Sequence, residues 1–141
     1  MKARAVSMLM LFLVCSAHTE EAYQATAKIW EAMGRKNWDA AIAQANRVIR
    51  IWGPQARRTN DQLKGYAPAK DAKKYGNLNE VGGSLLLKGD ALSRKGDKVA
   101  AKVAYQTLLN QYPYAQVWDP KGWFWNPAES ARKNLVSLHG N

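Results

Sequence analysis

From Glu20 to Met33 the apolar residues Ala22, Ala25, Ile29, Ala32 and Met33 recur at three-and-four spacing, with Lys28 and Glu31 off that face. This pattern predicts an amphipathic helix that ends at Gly34. Asn37 is placed to cap a second helix, on which Trp38, Ala41, Ile42, Ala45, Val48, Ile49 and Trp52 form one stripe until Gly53 and Pro54 stop it. Sixty residues later the plan returns. Leu78, Val81, Leu85, Gly89 and Leu92 predict a first helix, Gly96-Asp97 a turn, and Ala101, Ala104, Tyr105, Leu108, Leu109 and Tyr112 a second helix closed by Pro113. A last helix from Pro127 to Leu138 carries Ala128, Ala131, Leu135 and Leu138 at helical spacing and reads as a cap. The expectation is an all-α domain built on two helix-turn-helix units, Ala25 to Pro54 and Leu85 to Pro113.

These residues resemble the tetratricopeptide repeat. In the second unit Gly89 resembles the small residue where the paired helices touch, Ala101 the matching alanine, Tyr105 the aromatic after it, and Leu108 and Pro113 the small-residue and closing-proline positions. In the first unit Trp38, Ala41, Ala45, Val48 and Pro54 are similar, with Ile29 in place of the small glycine. The resemblance covers about 60 residues. It implies helix pairs that stack into a right-handed superhelix and bind a peptide or protein segment in a concave groove, without catalysis. Two departures stand out: the units lie sixty residues apart where the family's period is about 34, and there are two units where about three are needed to bury a solenoid's faces. Residues 54–80 are therefore expected to be an insertion, and the C-terminal helix to supply the missing cover.

The insertion is basic, with Arg57, Arg58, Lys64, Lys70, Lys73 and Lys74 against Asp61, Asp71 and Glu80. Gln55 to Lys64 suits a continued helix, whereas Gly65, Pro68 and Gly76 predict a mobile loop over Gly65–Gly76. Two roles stay open for it, docking of an acidic partner and a solvated connector.

Between Tyr112 and Pro127 lie six aromatics: Tyr112, Tyr114, Trp118, Trp123, Phe124 and Trp125. Asp119-Pro120-Lys121-Gly122 predicts a tight turn that folds Trp118 back toward Trp123 and Trp125. Three tasks remain open for these rings: filling the open end of the helical stack, stacking on a sugar or clasping a peptide, or touching a membrane interface. The run Trp-Asp-Pro-Lys-Gly-Trp-Phe-Trp is similar to one near the end of small exported bacterial proteins labelled β-glucanase precursor, which implies a glycan ligand for Trp118, Trp123 and Trp125. Glycoside hydrolysis usually needs two carboxyl groups facing one another across a cleft. Asp119 and Glu129 flank the tryptophans, yet Asp119 reads as a turn residue and Glu129 as a first-turn helix residue, where negative charge is favourable.

At the amino terminus Lys2 and Arg4 precede an apolar run from Met8 to Val14 and then the small residues Ser16 and Ala17, the layout of a secretory signal over residues 1–17 with residues 18–141 as the domain. Lipid anchoring at Cys15 is disfavoured by Val14, because that cut wants a small residue before the cysteine. An exported chain without Cys15 has no cysteine, hence no disulfide or thiolate chemistry. The net charge is +10, or +8 once Lys2 and Arg4 are removed. Such an excess either solubilises the chain or favours an acidic partner, and export argues against nucleic acid. Lys28 and Lys88 occupy equivalent positions in the two units, as do Arg35 and Lys95, so these four are the expected partner-binding residues. His18 and His139 lie near the ends, where neither suits a metal site or a triad. Gly82-Gly83 falls inside a helical pattern and reads as close helix packing. No cofactor, metal or catalytic residue is expected, and the glycan-binding reading on the tryptophans is the alternative.

Overall fold

The computed structural model describes residues 20–140. The expected signal segment, with Cys15 and His18, lies outside the described residues. Six α-helices follow in order, α1 (Ala22–Gly34), α2 (Trp38–Gln62), α3 (Ala69–Ala72), α4 (Gly76–Lys95), α5 (Lys98–Gln111) and α6 (Pro127–His139), with a 3-10 turn at Lys73–Tyr75. Between α5 and α6 a two-stranded antiparallel ribbon forms from β1 (Val117–Asp119) and β2 (Trp123–Trp125). The chain is thus mostly helical, and the ribbon is the addition to an all-α expectation. Among the described residues no helix is long and apolar enough to cross a membrane.

The two turns sixty residues apart share one backbone plan. At the first turn Lys36 sits at φ 57, and at the second Gly96 sits at φ 90. The next residue reaches back the same way in both: Asn37 N–H donates to the Ala32 carbonyl at 2.9 Å and Asp97 N–H to the Leu92 carbonyl at 2.9 Å. Each side chain then caps the following helix, Asn37 accepting from Ala40 N–H at 3.1 Å and Asp97 from Ala100 N–H at 3.0 Å. A left-handed residue after the helix followed by a polar cap satisfies backbone groups that a helix end leaves unpaired.

The helices pack in sequence, α1 on α2, α2 on α4, α4 on α5 and α5 on α6, while α1 also meets α4 and α4 meets α6. Helix α4 is the centre, and every residue from Val81 to Leu87 on it is buried. A helix covered on all sides carries no polar stripe, which is why Gly82, Gly83 and Ser84 take positions that elsewhere would be charged. The core gathers Ile29, Val48, Leu78, Val81, Leu85, Tyr105 and Leu108 with alanines from α1, α2, α5 and α6.

Two expectations need correction. Helix α2 does not stop at Gly53-Pro54 but runs on to Gln62 with Pro54 inside it. A mid-helix proline costs about 3 kcal/mol because it lacks a donor and crowds the carbonyl four residues back. The continuation offsets that cost by burying Ala56 and Asn60, and by two tertiary bonds: Tyr112 Oη donates to the Gly53 carbonyl at 3.3 Å, and Tyr114 N–H to Asn60 Oδ1 at 3.0 Å. The segment Gly65–Gly76 is not one mobile loop either. It contains α3 and the 3-10 turn, and it is tied down where Asn79 Nδ2 donates to the Ala72 carbonyl at 2.9 Å and Gln116 Nε2 to the Ala67 carbonyl at 2.9 Å. The connection between the two hairpins is therefore residues 63–75, shorter than the expected 54–80.

Candidate functional site

A cleft of about 580 Å³ opens where α1, α4 and the ribbon meet. Helix α1 contributes Tyr23, Thr26, Ala27 and Trp30, which share one helical face because they are spaced by three, four and seven. Helix α4 contributes Glu80 and Gly83, and the ribbon contributes Val117, Trp118, Asp119, Pro120 and Trp125. Tyr23 is 61% exposed, Trp30 48% and Trp118 54%, so three of the four rings keep much of their area in water.

The ribbon is seated on α4 by the two glycines. A Cβ on Gly82 would lie 2.3 Å from Ala115 Cβ, and one on Gly83 3.2 Å from Val117 Cγ2. Gly82-Gly83 therefore admits the strand entering the ribbon, and a Cβ on Gly82 would also meet Pro127 of α6 at 3.5 Å and Leu108 of α5 at 3.6 Å, so the close helix packing expected there is present beside it. The same stretch is held by Gln116 N–H donating to Asn79 Oδ1 at 2.8 Å, so Asn79 bridges the connector and the ribbon through its two ends. The reversal follows the predicted turn. Lys121 N–H donates to Asp119 Oδ1 at 2.8 Å, Gly122 N–H donates to the Asp119 carbonyl at 2.9 Å, and Gly122 takes φ 111.

Strand register pairs Val117 with Trp125, Trp118 with Phe124 and Asp119 with Trp123. The turn folds Trp118 back onto the strand of Trp123 and Trp125 as expected, and its ring meets Phe124 between them, 5.0 Å apart and edge-on. The three tryptophans separate in their roles. Trp125 is half-buried against the core, Trp118 stands on the cleft wall, and Trp123 is half exposed without lining the cleft. Of the three, Trp125 alone packs against the core, and it also reaches the cleft.

Two carboxyl groups line the cleft, Glu80 and Asp119. Burial pushes the Glu80 carboxyl above the usual carboxylate range, and the neighbouring Thr26 hydroxyl offsets only part of that. Glu129 lies in the first turn of α6, exposed, with its carboxylate near Asn126 Nδ2 at 3.5 Å and away from the cleft lining.

The four basic candidates lie on α1, just beyond its end and on α4. Lys28 pairs with Glu20, which also accepts from Arg47 of α2; together they hold the Glu20 carboxyl below its usual range. Arg35 pairs with Glu31 one turn earlier, and Lys95 with Asp39 of α2. Lys88 is half-buried on α4, and burial lowers its pKa. None of the four lines the cleft. A second depression of about 400 Å³ lies between α4, α5 and α6, where Tyr105 Oη donates to Asp90 Oδ1 at 2.5 Å and Asn134 Nδ2 donates to the same oxygen at 2.9 Å. Among the described residues no group of three or more His, Cys, Asp or Glu side chains is placed to hold a metal ion, and His139 is exposed.

Sequence reasoning named Trp118 and Trp125 but missed Tyr23, Trp30 and Glu80. The signal for the first two was there: Tyr23, Ala27 and Trp30 form a second apolar stripe on α1, off the face of Ala22, Ala25 and Ile29. A helix with two stripes has two neighbours to satisfy, or one neighbour and one ligand. Glu80 carried no such signal, since its burial depends on neighbours such as Thr26 that lie far from it along the chain. Comparison with protein-family models, curated proteins and solved structures gives no match.

Proposed function

We propose that this chain is an exported, non-catalytic binding protein with a tetratricopeptide-like stack of two hairpins, and that it holds a peptide or a segment of another protein in the cleft between α1, α4 and the ribbon. The stacking reading is supported by the two matching turns and by the order of packing along α1, α2, α4, α5 and α6. It is also supported by Gly89, whose Cβ would fall 2.3 Å from the Tyr105 ring and which therefore marks a close helix crossing. The observation that carries the binding reading is the set of half-exposed rings, Tyr23, Trp30 and Trp118, gathered around one concavity. Large apolar side chains left in water around a concave surface are typical of a recognition site. Lys28, Arg35 and Lys95 are engaged with Glu20, Glu31 and Asp39, respectively, of their own chain, so the cleft takes their place as the primary surface.

The test is selection from a random peptide display library on the mature chain, repeated with Trp30→Ala and Trp118→Ala. Enriched peptides that share an anchoring side chain and lose binding at least about tenfold with either variant support the reading. A library without enrichment contradicts it. A second reading, glycan binding, is favoured by Trp118 lining the same cleft as Glu80 and Asp119, an aromatic ring together with acceptors for sugar hydroxyls. Quenching of tryptophan emission by soluble β-glucan or peptidoglycan fragments, with no peptide enriched, selects that reading instead.

A further inference from the structure

The surface of the cleft differs in sign from the rest of the molecule. The chain carries a net charge of +10, yet the cleft is lined by two carboxyl groups, Glu80 and Asp119, and by no lysine, arginine or histidine. Four aromatic residues, Tyr23, Trp30, Trp118 and Trp125, line the same space. Aromatic faces carry negative charge, and a cation against them is attracted by the ring quadrupole, most strongly at tryptophan and where water is displaced. The two carboxyl groups that line the same space add to that field. A carboxylate ligand would meet repulsion here, and a purely apolar one would leave Glu80 further desolvated with no charge to balance it.

We propose that the occupant of the cleft is an ammonium group, supplied by a lysine side chain of the bound peptide segment, with the methylene stem against the aromatic rings and the charge toward Glu80 and Asp119. This rests on the peptide-binding reading above and names the chemistry of its anchor. Burial already holds the Glu80 carboxyl in an unfavourable, partly desolvated state, and a cation in the cleft relieves it. The assignment also reverses the partner expected from net charge alone, because the basic exterior and the acidic cleft select opposite ligands.

The experiment titrates the mature chain, by calorimetry and tryptophan emission, with a blocked pentapeptide carrying lysine at its centre and with counterparts carrying norleucine or acetyl-lysine there. The expected result is binding of the lysine peptide about tenfold tighter than of either neutral one. Glu80→Gln should remove that preference and Asp119→Asn reduce it, with the helical circular dichroism of both variants unchanged. Equal binding of the three peptides, a preference that survives in Glu80→Gln, or no binding of the lysine peptide overturns the assignment. If display-selected peptides still depend on Trp30 and Trp118 in that case, the peptide-binding reading stands and only its anchor is wrong. Choline that saturates the emission change while the lysine peptide stays silent points to a free small cation and overturns the peptide source.

Discussion

The two hairpins share a backbone plan and divide side-chain volume in opposite ways. Offset by sixty residues, Ile29 corresponds to Gly89 and Ala45 to Tyr105, so the first hairpin places its bulk on its first helix and the second on its second. All four positions are buried. What the position requires is a total volume, and either helix can supply it. The exchange has a chemical consequence, because a buried tyrosine brings a hydroxyl that needs a partner. Asp90 and Asn134 provide it, and the residue equivalent to Asp90 in the first hairpin is Trp30, which lines the cleft. The first hairpin, relieved of a polar network at that place, leaves a half-exposed ring on the cleft wall, and the second uses the same place to fasten the C-terminal helix.

The comparison yields a graded set of outcomes. Ile29→Ala, at a fully buried site, should lower unfolding stability by about 3–4 kcal/mol in urea titration. Gly89→Ala should lower it by about 2–3 kcal/mol, despite the better helix propensity of alanine, because its Cβ falls 2.3 Å from Tyr105 Cε1. Combining Gly89→Ala with Tyr105→Leu should recover part of that loss, and strictly additive losses would show that the two side chains do not compete for one space. Tyr105→Phe should lose about 1–2 kcal/mol, since Asp90 would keep only Asn134 as a donor. At the turns, Lys36 adopts the left-handed conformation that Gly96 adopts without strain, so Lys36→Gly should raise stability by about 0.5–1 kcal/mol.

A pH series separates the hairpins further. Burial raises the Asp90 carboxyl above its usual range, although Tyr105 and Asn134 pull it down. An acid raised in the folded state binds its proton more tightly there than in the unfolded chain. Its contribution is therefore fully present below the unfolded value of about 3.9 and is lost as pH rises through the folded value. Wild type measured against Asp90→Asn should be relatively most stable in acid and should lose ground as pH is raised toward 7. A difference that is flat with pH would contradict the burial assigned to Asp90.

Periodicity made the helix faces, both turns and the capping helix readable, because each follows from local spacing and from a cap residue at a fixed offset. Pro54 misled because the contacts that overrule it, Ala56, Asn60, Tyr112 and Tyr114, come from distant parts of the chain. The order of residues 65–76 was hidden for the same reason: it depends on Asn79 and Gln116. The tryptophan-rich segment announced itself by composition, yet its register against α4, and with it the division of labour among Trp118, Trp123 and Trp125, is set by the space above Gly82 and Gly83. The basic candidates Lys28, Arg35 and Lys95 were chosen by symmetry of position, and symmetry of position did not reveal the acidic partners each one has.

The six tryptophan indole N–H groups are separate reporters, and a nitrogen-proton NMR titration of residues 18–141 with a display-selected peptide reads all of them at once. Binding in the cleft predicts shifts at Trp30, Trp118 and Trp125, with Trp38, Trp52 and Trp123 unmoved. Shifts confined to the backbone amides of Lys28, Arg35, Lys88 and Lys95, with the three cleft indoles unchanged, would place the partner elsewhere and contradict the account.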